Sequence, residues 1–163
     1  MDVAALINKL CNMHVSVATA ESCTGGLIAS SIVDIPGASD CFNEGYVTYS
    51  NEAKMKNLGV SADTLKAFGA VSPQTAAEMA SGVRKAANAD FGISSTGIAG
   101  PGGGTKEKPV GLVYIGCAYG DNMCVTKKLQ LDGDRTQVRK AAALEALKLL
   151  EECLNKAFFL SDA

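Results

Sequence analysis

Apolar residues recur at two different periods along this 163-residue chain, and the places where the period changes mark its elements. Val3, Leu6, Ile7 and Leu10 fall at helical spacing, and the chain then passes into VSVATA, a short β-branched run ending at Glu21, so a helix followed by a strand is predicted. From Gly25 the stretch GGLIASSIVDI is long enough for a helix, and PGAS at 36–39 closes it with turn chemistry. CFNEGYVTYS at 41–50 is rich in aromatic and β-branched residues and reads as a strand; NEAKMKNLG then begins a short helix capped by Asn51 and ended by Gly59.

Ser72 and Pro73 supply an N-cap and a proline at the first helical position. Behind them Ala76, Met79, Ala80, Val83 and Ala87 form an apolar stripe opposite Gln74, Glu78, Ser81, Lys85 and Asn88. ADFGISSTG follows as a strand and runs into GIAGPGGGTKEKP, which is too glycine-rich for regular structure. VGLVYIGCAYG and MCVTKKLQL, separated by a GDN turn, suggest a hairpin. A last helix starts near GDRTQ, with Ala143, Leu147, Leu150 and Leu154 inward and Glu145, Lys148, Glu152 and Asn155 outward. Strands alternating with helices, interrupted by one hairpin, predict an α/β fold: three layers, α/β/α, with a mixed, mostly parallel sheet covered on both faces. Neither a repeat nor a linker divides the chain, so residues 1–163 are expected to form a single domain.

Composition narrows the function classes. Formal net charge is -2 and the 15 basic residues are scattered, so the electrostatic footprint of a nucleic-acid binder is missing. No run of about 18 apolar residues spans a membrane, and the N-terminus is too polar for a signal-peptide core, which predicts a soluble, cytoplasmic protein. Six dispersed cysteines without a CxxC pair and a single histidine make a metal site unexpected. The 47% hydrophobic composition leaves room for a homo-oligomer.

Two segments at predicted strand ends carry the candidate chemistry, and strand ends are where ligands gather in such sheets. The first is AESCTGG, which places Ser22, Cys23 and Thr24 in a strand-to-helix turn. A nucleophile there gains from free N–H groups and partial positive charge, although Ser22 or Thr24 also suits a plain helix N-cap. A serine needs a base, and His14 sits at the far end of the preceding strand, about 20 Å of extended chain from Glu21. A lysine held neutral is the remaining route, and TYSNEAK supplies Tyr49 and Lys54. Ser50, four residues before Lys54, is a rival nucleophile, and Cys23 is another because a thiol at a helix N-terminus can ionise readily. The second segment, GIAGPGGGT, matches neither phosphate-binding glycine fingerprint. Its glycines at 97, 100, 102, 103 and 104 would let backbone N–H groups approach an anion, with Thr105 adding a hydroxyl, unless the segment is a flexible surface loop. Arg135 could clamp a phosphate, or stand as an exposed helix-end arginine.

AESCTGG, GYVTYSNEAK, LGV, GAVS, TGIAGPGGG, EKPVG and GDR, in this order from residue 20 to the last helix, together resemble the CinA C-terminal domain family, whose enzymatic members are nicotinamide mononucleotide deamidases. The larger CinA proteins carry a further N-terminal domain, and this chain looks like the stand-alone form. The resemblance implies a CinA C-terminal-like fold and hydrolysis of nicotinamide mononucleotide to nicotinic acid mononucleotide and ammonia, with no metal or other cofactor. It makes Ser22 the nucleophile, Lys54 its general base and Tyr49 a partner in proton transfer. The backbone N–H groups of the turn Cys23, Thr24, Gly25 and Gly26 are the expected oxyanion hole, with Glu21 beside them in the substrate site, and glycine content and position assign Thr96, Gly97, Gly100, Gly102, Gly103, Gly104 and Thr105 with Arg135 to ribose and phosphate. The family also contains paralogues without the activity, so a non-catalytic nucleotide-binding module is the rival expectation.

Overall fold

The computed structural model describes residues 1–159 of the chain. In chain order it contains α1 (Val3–Asn12), β1 (Val17–Glu21), α2 (Leu27–Val33), a 3-10 turn (Ala38–Asp40), β2 (Phe42–Val47), α3 (Asn51–Leu58), α4 (Ala62–Phe68) and α5 (Pro73–Ala86). Then come β3 (Phe91–Gly97), β4 (Leu112–Tyr119), β5 (Met123–Gln130) and α6 (Arg135–Phe159). The five strands form one sheet in the order β2-β1-β3-β4-β5. β1 pairs in parallel with β2 on one side and β3 on the other, whereas β4 runs antiparallel to β3 and to β5. The sheet is mixed, as expected, with its parallel part confined to the three strands around β1.

Alternation along the strands divides the core in two. On one face Val17, Phe91, Ile93, Val113, Ile115 and Cys117 pack with Leu6, Ile7, Leu10, Ile28, Ile32 and the inward row of α6. On the other, Ala18 and Ala20 meet Met79 and Val83 of α5 and Leu58 of α3. The second face is built from small residues because α5 lies almost on the strands: a Cβ at Gly92 would run into the Ala80 carbonyl, and one at Gly116 would come within 2.8 Å of the Ala76 carbonyl. Ser94 uses the same close approach to donate its hydroxyl to the Ala76 carbonyl at 2.6 Å.

Most predicted elements are present, with instructive shifts. Ser72 caps α5 by accepting from the Thr75 N–H, with Pro73 in the first turn. α3 is capped by Ser50, whose Oγ accepts from Ala53 N at 3.0 Å, and not by Asn51, which is already helical. α2 starts two residues later than GGLIASSIVDI suggests, since Gly25 and Gly26 have φ of 58° and 101°. α4 has no counterpart in the apolar pattern because none of its residues is buried, so no stripe marks it. No helix among the described residues is long and apolar enough to cross a membrane.

Candidate active site

From β1 the chain crosses to β2 on one side through α2, and later reaches β3 on the other through α5. The carboxyl end of β1 is thus the point where the strand order divides, the usual place for a ligand in an open α/β sheet. Ser22 is the first residue beyond that end. Its N–H still donates to the Ser95 carbonyl at 3.0 Å and Thr48 N–H donates to the Glu21 carbonyl at 2.9 Å, so the ladder positions the site from both sides.

Glu21 sets the turn. Its carboxylate, on a residue only 1% exposed, accepts from Gly26 N (3.0 Å), Ile28 N (3.0 Å), Ala29 N (2.8 Å) and the Thr24 hydroxyl (2.6 Å). A buried charge is tolerable when hydrogen bonds replace its hydration, and the amino end of a helix supplies them. Thr24 is fully buried and shares its hydroxyl with Ser95 Oγ at 2.6 Å, while Thr96 donates to the Ala70 carbonyl at 2.7 Å. Glu21, Thr24 and Thr96, assigned to substrate from sequence, therefore turn their polar side-chain atoms inward. Glu21→Ala is expected to lower stability by about 3 kcal/mol or more, because it removes a charged acceptor and strands its buried donors. Denaturant unfolding of both proteins measures the difference.

Lys54 comes from α3 and is also 1% exposed. Its Nζ donates to the Thr48 carbonyl at 2.8 Å and the Tyr49 carbonyl at 3.3 Å, and lies 3.1 Å from Ser22 Oγ. Burial pushes its pKa below the ordinary lysine value. In the neutral amine two N–H groups serve the two carbonyls, and the lone pair is left for the Ser22 hydroxyl proton. The arrangement can remove a proton from a serine without a histidine; His14 lies just ahead of β1, at the opposite end of that strand.

The rival nucleophiles fare differently. Ser50 spends its oxygen on the α3 cap. Cys23 is 5% exposed, and burial raises its pKa to about 11, reversing the ionisation expected from its place before a helix. In the turn itself, Gly25 N donates to the Ser22 carbonyl at 3.1 Å and Gly26 N is held by Glu21. Among the described residues the Cys23 and Thr24 N–H groups donate to no other residue, the Cys23 N–H facing only its own sulfur, which narrows the oxyanion donors expected over 23–26 to these two.

Tyr49 is 64% exposed, and its hydroxyl accepts from Arg135 Nη2 at 3.1 Å; it meets Lys54 only through its carbonyl. Arg135 Nη1 also donates to the Gly100 carbonyl at 2.7 Å, tying the start of α6 to the glycine segment and to Tyr49. A cavity of about 320 Å³ opens beside it between Ala99, Pro101, Val110, Gly133 and Thr136, with Asp134 also on its wall, the Asp134 carboxylate accepting from Gln137 N. Gly102 has open space around it. Thr105 instead folds back: its hydroxyl accepts from Lys108 N at 3.0 Å, and Lys108 Nζ is anchored on the Phe68 carbonyl. A larger groove, about 550 Å³ between α3 and α5, is lined by Asn57, Glu78, Ser81 and Lys85, and among the described residues no hydrogen bond joins Ser81 to Lys85.

Two residues of the site went unassigned from sequence. Ser95 holds Thr24, and Arg139 donates from Nε to the Cys23 carbonyl at 3.0 Å and from Nη2 to the Thr24 carbonyl at 2.9 Å. Arg139 stands one helical turn beyond Arg135, a spacing that puts both on one face and could have drawn it in.

Solved structures share this architecture. The competence/damage-inducible protein CihA of Agrobacterium tumefaciens is 42% identical with a TM-score of 0.87, covering 93% of this chain and 95% of that one. A CinA superfamily protein of Escherichia coli is 36% identical with a TM-score of 0.88, covering 93% and 87%. Among curated proteins, a competence-damage inducible relative from Clostridium novyi is 59% identical over 142 residues, and a CinA-like protein of Kosmotoga olearia is 55% identical over 149. These matches take in 86% and 91% of this chain but 34% and 36% of the relatives, so the chain spans about a third of their length. The profile of the CinA C-terminal domain matches residues 2–154, and the chain belongs to the CinA C-terminal domain family.

Proposed function

We propose that the chain is an amidohydrolase that converts nicotinamide mononucleotide to nicotinic acid mononucleotide and ammonia. The observation that carries this is the buried Lys54 amine, depressed in basicity, 3.1 Å from Ser22 Oγ. Ser22 Oγ attacks the carboxamide carbon as its proton passes to Lys54 Nζ, and the oxyanion is taken by the Cys23 and Thr24 N–H groups. The C–N bond then breaks, and the nitrogen leaves as ammonia with the proton that Lys54 returns. Water attacks the remaining ester as Lys54 again accepts a proton, and breaking the acyl–Oγ bond returns that proton to Ser22 Oγ and frees the carboxylate product.

The Arg135 guanidinium, the open glycine backbone near Gly102 and the 320 Å³ cavity beside them support a subsite for the ribose and phosphate, since guanidinium and free N–H groups suit a phosphate. On this assignment Arg135→Ala raises KM by about tenfold or more and lowers kcat less, because phosphate binding is uniform between ground and transition states. Steady-state kinetics with varied nucleotide check it, and an unchanged KM removes Arg135 from the subsite. The founding test follows ammonia and nicotinic acid mononucleotide from nicotinamide mononucleotide with a metal chelator present. Stoichiometric formation of both supports the metal-free reaction; a folded protein that binds the nucleotide without turning it over is the non-catalytic module instead.

A further inference from the structure

The turn bearing Ser22 is gripped from two sides, and only one grip belongs to the helix it starts. Glu21 holds the donors of the turn, Gly26 N and the Thr24 hydroxyl. Arg139, reaching from α6, holds its acceptors, the carbonyls of Cys23 and Thr24, at 3.0 and 2.9 Å; the Thr24 carbonyl also accepts from Leu27 N at 3.2 Å, so the Cys23 carbonyl is the one that depends on Arg139 for its partner. A guanidinium spans two neighbouring carbonyls because its donors are fixed in a plane; a lysine amine lacks that fork. Room for it exists because residue 25 is glycine: a Cβ there would lie 3.1 Å from Arg139 Nη2, and φ of 58° independently favours glycine.

Holding those carbonyls also fixes the N–H groups behind them. In a trans peptide the C=O and the N–H point in opposite directions, so drawing the Cys23 carbonyl toward α6 turns the Thr24 N–H away from α6. Drawing the Thr24 carbonyl the same way turns the Gly25 N–H away, and that N–H lands on the Ser22 carbonyl at 3.1 Å. The Ser22 carbonyl is thereby pinned in its turn, which fixes the direction of the Cys23 N–H, its partner across the same peptide plane. A nearby cation further polarises these peptides, making their N–H groups better donors to a negative oxygen.

We infer that Arg139 is a positioning residue that aims the Thr24 and Cys23 N–H groups at the oxyanion formed when Ser22 attacks. This role rests on Ser22 being the nucleophile. Arg135 and Arg139 thus divide one face of α6: the first faces the glycine segment, the second shapes the electrophilic side of the reaction.

The test reads Ser22 chemistry without using the nucleotide. A fluorophosphonate is attacked at phosphorus by Ser22 Oγ. The Ser22 proton passes to Lys54, the P–F bond breaks with fluoride leaving on its electron pair, and the phosphoryl oxygen carries the developing negative charge. Labelling rates are followed by intact mass for wild type, Ser22→Ala, Arg139→Ala and Arg139→Lys, with thermal melting of each. Wild type is expected to take one label that Ser22→Ala does not. Arg139→Ala should label about 100-fold more slowly, the effect of losing an aligned oxyanion donor. Millimolar guanidinium should restore part of that rate, whereas sodium at equal ionic strength should not. If the alanine variant does not fold, Arg139→Lys serves, with labelling expected about tenfold slower because its charge is kept and its fork is lost. Folded variants that label at the wild-type rate, or slowed Arg139→Ala that guanidinium leaves unchanged, overturn the role of Arg139 while Ser22 stands. A wild type that takes no label overturns Ser22 as nucleophile and this role with it.

Discussion

Ser22→Ala is expected to reduce turnover of nicotinamide mononucleotide by about 10⁴-fold or more while the fold is retained. Ser22 is 8% exposed, its side-chain bond goes to Lys54, and its backbone N–H keeps the ladder bond to Ser95 whatever side chain it carries. On the proposed mechanism alanine therefore removes the nucleophile and little else. Binding should survive, because the proposed phosphate contacts lie at Arg135 and the glycine segment. Isothermal titration beside single-turnover kinetics separates the two effects: near-normal turnover in the variant sinks the serine mechanism. Cys23→Ala is the control. With its thiol buried and its pKa pushed up to about 11, Cys23 holds almost no thiolate near neutrality, so alanine should leave the reaction in place.

Lys54→Met should lower kcat by about 10³-fold, the range of a general base, and combining it with Ser22→Ala should cost almost nothing more because the two act as one unit. The pH dependence follows from the direction of the Lys54 shift. Only the neutral amine accepts the serine proton, so kcat/KM rises with pH through the folded-state pKa of Lys54, which burial places below 10.5. Stability changes in the same direction. Between the folded pKa and the unfolded value the unfolded chain binds a proton that the folded one does not, so wild-type stability climbs as pH rises through that window. Below the window both states are protonated and the increment is absent. The methionine variant lacks the group, and its melting temperature should climb less over the same alkaline range. A methionine variant with the wild-type slope, or with the wild-type rate, removes Lys54 from this role.

Local pattern made much of the fold legible. Of the expected stripe, Ala76, Met79, Ala80 and Val83 are fully buried while Ala87, the C-cap of α5, is only partly so, and Ala143, Leu147, Leu150 and Leu154 all face the core. The GDN turn joins β4 to β5, pairing Tyr119 with Met123. α4 escaped notice because a helix with no buried residue leaves no periodic trace. At the site, the positions of Ser22, Tyr49 and Lys54 beyond strand ends could be read, but the directions of side chains could not. Glu21 and Thr96 are polar residues beside a predicted pocket, and from sequence nothing distinguishes a carboxylate that meets substrate from one that caps its own helix.

What the sequence by itself determined is whatever depends on near neighbours in the chain: the periods that make helices and strands, the strand-to-helix turn after Glu21, and an ordered set of blocks that marks the CinA C-terminal domain family. Tertiary structure alone decided the chemistry of the groups. Lys54 meets Ser22 across 32 residues and Arg139 meets Cys23 across 116, distances along the chain at which periodicity carries no signal. Both the lowered basicity of Lys54 and the raised pKa of Cys23 come from desolvation, which depends on everything packed around a group and is set only when the sheet and its helices close over it.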